Sequence, residues 1–589
     1  MKELQYLNKY FVKYKIRFLT GILITIVAQI FYLYTPKLIS NSIASIENYI
    51  KNSETVDVYF VQSQLIKNIL LIIATTLLAG LLTFLMRQTL IVMSRLIEFD
   101  LKNEVFVQYT RLSQQFYKQN RTGDLMNRIS EDVGKVRMYV GPAVMYTINT
   151  FIRFAIVIGY MYAVSPRLTL YTLLPLPILS YAIFKLSTEI NKRSTFFQQN
   201  LSNLSSFSQE LFSGLRVVKA YALEKKQQQK VIALSAESKT KAMELAKSNA
   251  LFGPLMIALI GFSNLIVIYF GGLMYINQSG GIMHIGQIAE FILYVNMLTW
   301  PVASLGWVSS MVQEAAASQK RINEFLKIES ELKSGDQSLK EVHGAFIFDH
   351  VSYRYEDTNI QALSELNFEV KSGETLAIFG KTGSGKSTLL NLIARLDDAD
   401  TGSIKMDTIN IKDYNLQELR SQIGFVPQDA FLFSDTIANN IRFGNELASE
   451  EEIVQAAKMA AVHENIENFA QQYETVLGER GITLSGGQKQ RVSLARALLK
   501  NSPILVFDDC LSAVDTETEE EILDNLKKFS QNRTTFIVSH RVSSAKNADK
   551  ILVLEDGKMI QFGTPEELLA QNGYYRELYL KQLSEKESA

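Results

Sequence analysis

The sequence predicts an α-helical membrane domain of six spans followed by an α/β domain built to hold a phosphate group. Three observations carry that prediction. Apolar residues, 47% of the 589-residue chain, gather into long runs in its first half. The second half reads as a soluble domain of short apolar strands and helices. Between one such strand, Glu374–Gly380, and the helix Ser387–Leu396 lies the run GKTGSGKST. The length suits two large domains rather than one.

A bilayer core needs roughly 20 mainly apolar residues per helix. Six stretches qualify: 18–39, 65–87, 143–164, 168–187, 251–275 and 287–308. Lys2, Lys9, Lys13, Lys15 and Arg17 precede the first, which is too long for a signal core and lacks a small-residue cleavage site after it. It is expected to be a membrane span. The links after the second and fourth spans are long and basic, with Lys102, Arg111, Lys118, Arg121, Arg128 and Lys135 in one and Lys192, Arg193, Arg216 and Lys219 in the other. The links after the first, third and fifth spans hold Glu47, Glu54 and Asp57, then Ser165-Pro166-Arg167, then a Gly/Ser-rich turn at 276–286. The positive-inside rule puts the N-terminus and both long links in the cytoplasm. The long links keep a helical period, so the flanking helices should continue beyond the membrane. The expected divisions are a membrane domain over 1–310, a linker over 311–341 and a nucleotide-binding domain over 342–589.

Formal net charge is zero, which points to neither nucleic acid nor an acidic partner. The single cysteine, Cys510, excludes an intrachain disulfide and a multi-cysteine metal site. Arg153 falls near the middle of the third span, where charge is costly and a functional role is the default reading. It either faces a water-filled cavity and binds an anionic or amphipathic substrate, or pairs with a polar neighbour such as Glu290 or Asn296. Pro175, Pro177, Pro254 and Pro301 should kink or loosen their helices. The many Tyr and Phe of the spans fit a hydrophobic pocket and lipid contact equally.

In the second half, the strand–glycine loop–helix order turns backbone N–H groups toward one point and adds the partial charge of a helix N-terminus. The expected P-loop residues are Gly380, Lys381, Thr382, Gly383, Ser384, Gly385, Lys386, Ser387 and Thr388. Lys386 should reach the β- and γ-phosphates of ATP, and the Ser387 hydroxyl a magnesium position. The strand Ile504–Asp509 ends in two carboxylates, of which Asp508 should hold that magnesium.

Downstream of the P-loop stands LSGGQKQR, Leu484 to Arg491. The two runs in this order resemble the nucleotide-binding domain of an ABC ATPase. With the six spans ahead of it, the whole chain resembles an exporter half-transporter of the multidrug/lipid type. The fold implied is a six-span helical domain plus an α/β P-loop NTPase domain. The resemblance implies that Leu484, Ser485, Gly486, Gly487 and Gln488 act in trans on ATP held by a second half-transporter, with Asp515 of LSAVD crossing between the two. It implies that Tyr355 of VSYRY stacks on adenine; Tyr353 stands two residues early for that role, and a core-facing strand tyrosine is the other reading. Gln428 of FVPQDAFLF matches the loop that contacts the metal, and His540 of IVSHR the switch histidine at the γ-phosphate. Gly478–Gly481 resembles an exporter-specific segment. Phe116–Val133 and Gln209–Glu224 look similar to coupling helices, with generic amphipathic helices as the alternative.

One position departs from the pattern. Asp509 stands where most active members carry the glutamate general base. The resemblance then implies the Asp-bearing subunit of a heterodimer, over a homodimer with a tolerant Asp site. The further implications are ATP and Mg2+ as cofactors and membrane lipid as surroundings. The cargo is a hydrophobic or amphipathic small molecule, lipid or peptide, and the location a bacterial inner membrane. A membrane channel or regulator that uses ATP as a switch is the rival; a soluble ABC ATPase of nucleic-acid maintenance is excluded by the spans.

Overall fold

The computed structural model describes residues 2–52, 56–279, 281–339, 341–478, 484–545 and 547–587. Several expectations fall partly outside them: Glu54 of the first link, Gly280 of the turn at 276–286, Lys340 of the linker, and Glu479, Arg480 and Gly481 of the segment before the LSGGQ run. The chain forms two compact units, Met1–Thr110 with Thr122–Ile328, and Arg111–Arg121 with Glu329–Ala589.

The first unit is helical. Its long helices are α1 (Lys15–Lys51), α2 (Val58–Arg111), α4 (Thr122–Val164), α7 (Glu224–Ile276) and α8 (Ile285–Leu326). Among the described residues these five are long and apolar enough to cross a membrane. At about 1.5 Å per residue, α2 is about 80 Å long against a core of about 30 Å. The flanking helices therefore do run on past the bilayer.

The fourth expected span, 168–187, falls on two helices rather than one. Those residues are divided between α5 (Pro166–Leu173) and α6 (Pro175–Ser213), which break at Leu174. Pro175 and Pro177 bring no backbone donor to the first turn of α6. Lys185 and Glu189 follow so soon that no long apolar window forms.

The interior of this unit gathers Leu33 of α1, Val157 and Met161 of α4, Val267 of α7, and Phe291, Tyr294 and Leu298 of α8. Several of its polar groups are paired across helices. Asp132 of α4, 4% exposed, accepts from Nε of Arg321 on α8 at 3.0 Å. Glu47 of α1 accepts from the backbone N–H of Ile285 at 2.8 Å and from the Tyr275 hydroxyl. Arg153 pairs with neither neighbour expected for it. Its Nε donates to Gln29 Oε1 at 3.0 Å, while Glu290 accepts from Tyr294 and Asn296 from Asn264. The register between α1 and α4 decides this, and no single-helix pattern reports it.

The second unit contains two sheets. One has the order β2-β1-β4-β5, from β1 (Phe346–Tyr355), β2 (Ile360–Val370), β4 (Thr401–Met406) and β5 (Ile409–Asn410). The other has the order β10-β9-β3-β8-β7-β6, from β3 (Thr375–Gly380), β6 (Ile423–Val426), β7 (Ile504–Asp508), β8 (Thr534–Val538), β9 (Lys550–Glu555) and β10 (Lys558–Gly563). In it, β3, β6, β7, β8 and β9 run parallel. Such strands are covered on both faces and so read as unbroken apolar runs. In β3, Ala377 and Phe379 join one core while Leu376 and Ile378 join the other. In β7, Leu505 and Phe507 against Ile504 and Val506 repeat the division. Side chains two apart share a face, so one strand serves two cores.

The carboxyl ends of β3, β7 and β8 lie side by side, and each opens into a loop carrying polar residues. In open parallel sheets ligands bind at those ends. Phe536 of β8, fully buried, meets Phe346 of β1 edge-on at 5.2 Å and so ties the two sheets. Phe536→Ala should cost about 3–5 kcal/mol, read as a lower midpoint in thermal melts followed by circular dichroism.

Candidate nucleotide site

The loop after β3 turns back sharply before α9 (Lys386–Ile393). Gly385 caps that helix at φ +98°, and a Cβ there would stand 2.4 Å from the carbonyl oxygen of Ala362. Only glycine fits both the dihedral and the space. The loop is closed by its own lysine. Lys386 Nζ donates to the carbonyls of Gly380 at 2.8 Å and Lys381 at 2.9 Å, and only 7% of the residue is exposed. Burial lowers its pKa, opposed by the charges of Asp509 and Asp508.

A cavity of about 360 Å³ opens above this loop. Its walls bring together Tyr355, Thr382, Gly383, Gly385, Lys386, Ser387, Thr388, Gln428, Asp508, Asp509 and His540. Ser387 Oγ donates to Asp508 Oδ1 at 3.1 Å. The hydroxyl of Ser387, the carboxylate of Asp508 and the side-chain amide oxygen of Gln428 form an oxygen-only donor set, which fits magnesium. The buried Ser384 hydroxyl has no hydrogen-bond partner among the described residues.

Tyr355 reaches the cavity wall and shares a 2.9 Å hydrogen bond between its hydroxyl and that of Thr388. Tyr353, 6% exposed, belongs to the core of the four-stranded sheet. The first turning segment contributes here, since Arg111–Arg121 belongs to this unit. In its helix α3 (Gln114–Gln119), the Lys118 ammonium lies 5.4 Å from the centre of the Tyr355 ring and Gln115 donates to Glu356 at 3.1 Å.

Asp509 stands between Gln428 Nε2, at 3.5 Å, and His540 Nε2, at 4.0 Å. Its φ is +46°, a left-handed conformation that aspartate tolerates better than most residues. Burial raises the pKa of both Asp508 and Asp509; His540 and Gln428 oppose it at Asp509, and Ser387 opposes it at Asp508. Next along the chain, burial pushes the Cys510 thiol up to about 12, which leaves it unreactive.

Leu484, Ser485, Gly486, Gly487, Gln488 and Asp515 take no part in this cavity. Ser485 caps α10 (Gly486–Leu499): its Oγ accepts from Gln488 N at 3.3 Å, and Gln488 Oε1 accepts from Ser485 N at 3.0 Å. A Cβ on Gly487 would meet the Ala513 carbonyl oxygen at 2.6 Å. Asp515 caps α11 (Thr516–Phe529) by accepting from Thr518 N at 3.0 Å, and that bond lowers its pKa.

Sequence reasoning missed two glutamines that hold these pieces. Gln490 of α10 accepts from Ala513 N at 3.1 Å and donates to Ser512 Oγ at 3.2 Å, fixing the segment ahead of Asp515. Gln582 of α12 (Tyr574–Glu587) donates to the His540 carbonyl at 2.9 Å and accepts from Val542 N at 2.8 Å. It clamps the backbone at His540 and just after it. Nothing in the polar run around Gln582 signals this, because a side-chain-to-backbone clamp leaves no periodicity. Gln582→Ala should lower kcat for ATP hydrolysis about fivefold with KM for ATP little changed, and Gln582→Glu, which keeps the acceptor, should fall between. Steady-state kinetics over ATP concentration separates the two parameters.

Residues 18–302 match the family described as the ABC transporter transmembrane region, and residues 363–512 match that described as ABC transporter. The chain is 34% identical to the multidrug resistance-like ATP-binding protein MdlA of Escherichia coli (strain K12), over 98% of this chain and 96% of that one. It is 33% identical to a probable multidrug resistance ABC transporter ATP-binding/permease protein, YheI, of Bacillus subtilis (strain 168), over 98% and 97%. Identity with an ATP-dependent lipid A-core flippase of Syntrophus aciditrophicus (strain SB) is 34%, over 82% and 80%. Among solved structures, a bacterial Atm1-family ABC exporter with ATP bound superimposes with a TM-score of 0.79 at 25% identity, covering 96% of this chain and 99% of that one.

Proposed function

The chain belongs to the ABC transporter family, as an integral membrane protein of its exporter group that couples ATP hydrolysis to transport, and we propose that it is the Asp-bearing half of a heterodimeric exporter. One observation carries the pairing: the cavity collects Lys386, Ser387, Gln428, Asp508, Asp509 and His540 but none of Leu484–Gln488. An intact capped helix end with two glycines is left to serve a nucleotide held by another chain. In this reading α5 and α6 together make the fourth of six crossings, the domains divide near 310 and 342, and the membrane is a bacterial inner membrane.

Each residue then has a task. Tyr355 stacks on adenine, and the loop Gly380–Thr388 takes the phosphates on its N–H groups, with Lys386 at the β- and γ-phosphates. Magnesium carried with ATP is held by Ser387, Asp508 and Gln428 and neutralises phosphate charge. His540 meets the γ-phosphate, and Asp509 orients the attacking water. Ser485, Gly486 and Gly487 bring donors to the partner's ATP, so each ATP is a bridge whose hydrolysis releases the pair.

Asp509 sets the pace. Aspartate is nearly as basic as glutamate. It falls short in reach by roughly 1.5 Å, one carbon–carbon bond. A misplacement near 1 Å can cost on the order of 100-fold. The site therefore holds ATP and turns it over slowly, while a Glu-bearing partner hydrolyses against this chain's Ser485–Gln488. The cargo is hydrophobic or amphipathic, in keeping with relatives named for multidrug resistance and lipid A-core.

The reading is tested in inside-out vesicles containing this chain and its Glu-bearing partner. ATP should drive an amphiphilic dye uphill into the vesicles, and the dye should change the ATPase rate. Dye that merely equilibrates when ATP is added, at an unchanged ATPase rate, would sink the exporter and leave an ATP-switched channel.

A further inference from the structure

We propose that the seam between α1 and α4 binds the anionic head group of an amphiphile, through Arg153 and Lys37. This names a substrate class for the export reading and rests on that reading only for the head group's being cargo.

Arg153 lies about 16 Å inside the end of α4, near the middle of a core about 30 Å thick. A charge at that depth is costly and needs a partner. The structure provides only neutral ones. Arg153 Nε donates to Gln29 Oε1 at 3.0 Å, and Gln29 Nε2 is in turn committed to Asn149 Oδ1 at 2.7 Å. The guanidinium lies 5.2 Å from the centre of the Tyr32 ring. Further along the same two helices, the Lys37 ammonium lies 5.4 Å from the centre of the Tyr160 ring. Among the described residues, neither cation has a carboxylate within 4.0 Å. The buried Glu290 is spent on the Tyr294 hydroxyl at 2.9 Å.

The seam thus holds two cations, steadied by amide and aromatic faces and compensated by no negative charge. Both are half-buried. The terminal nitrogens of Arg153 keep the forked donor geometry that a phosphate, sulfate or carboxylate accepts. The Gln29–Asn149 bond fixes the rotamer from which the fork projects. An anion arriving on an apolar tail would neutralise the charge of Arg153 without leaving the span and lie in the field of Lys37, which stands beside Tyr160 about two turns further along α4. A cationic amphiphile meets repulsion at the same place.

The full chain in phosphatidylcholine nanodiscs, titrated calorimetrically with dodecyl phosphate, dodecyltrimethylammonium and inorganic phosphate, tests this. Dodecyl phosphate should bind roughly tenfold or more tighter than the other two. Arg153→Gln and Lys37→Gln should each weaken it by about fivefold or more, and Arg153→Lys should weaken it less. Equal affinity for the two amphiphiles, inorganic phosphate binding as well as dodecyl phosphate, or no loss in either glutamine variant would overturn the site. Phosphatidylglycerol in the nanodisc that displaces dodecyl phosphate keeps the site and names a lipid head group; no displacement keeps it for a free amphiphile. Binding that depends on Arg153 in a chain that transports nothing overturns the export reading alone. Transport that is intact and blind to amphiphile charge overturns the site alone.

Discussion

The Lys386 ammonium, bound to the carbonyls of Gly380 and Lys381, is the interaction around which the nucleotide site is organised. It draws the two ends of the glycine loop together and fixes the curvature that points N–H groups at one place. The loop can take that curve because Gly385 passes the Ala362 carbonyl with no room for a side chain. The sheet around it is set by the same constraint. Strands β3, β8 and β7 must lie side by side for Lys386, His540 and Asp508 to meet, and their double-faced apolar runs secure that order.

In the proposed reading, Asp509 is where the site gives up speed. Its backbone is left-handed, its carboxylate is buried enough to raise its pKa, and Gln428 and His540 flank it at 3.5 and 4.0 Å. Those distances describe a carboxylate surrounded but not gripped. A longer side chain would carry the same charge further into the cavity. The Gln582 clamp and the Gln490 bridge hold the neighbouring backbone regardless. That combination is what the proposal needs: the supports of an ATPase site in place, with one short residue at the position assigned to the base.

What was legible in the sequence depended on whether a property is local. The P-loop was readable because its chemistry is contiguous: strand, glycines, lysine, hydroxyl and helix follow within one run. Long apolar runs announced five membrane helices for the same reason. The stretch 168–187 read as one unbroken helix because hydropathy averages over Pro175 and Pro177, whereas the helix is interrupted at Leu174. A polar neighbour of Arg153 could be expected but not named, because Gln29, Glu290 and Asn296 all lie on other helices, far away in the chain. Gln582 stayed invisible because its value lies in where α12 returns to the site. Tyr355 and Tyr353, two apart on one strand with ring centres 5.1 Å apart, differ in depth rather than in face: Tyr353 is buried in the core and Tyr355 reaches the cavity, which the sequence does not report.

The most direct measurement is the steady-state ATPase rate of this chain, purified alone in lipid, beside Asp509→Glu. A nearly silent chain that the glutamate raises by on the order of tenfold or more is the predicted result. A chain that hydrolyses ATP steadily by itself, with no gain from the glutamate, would contradict the assignment of Asp509 as the slow base and the need for a Glu-bearing partner.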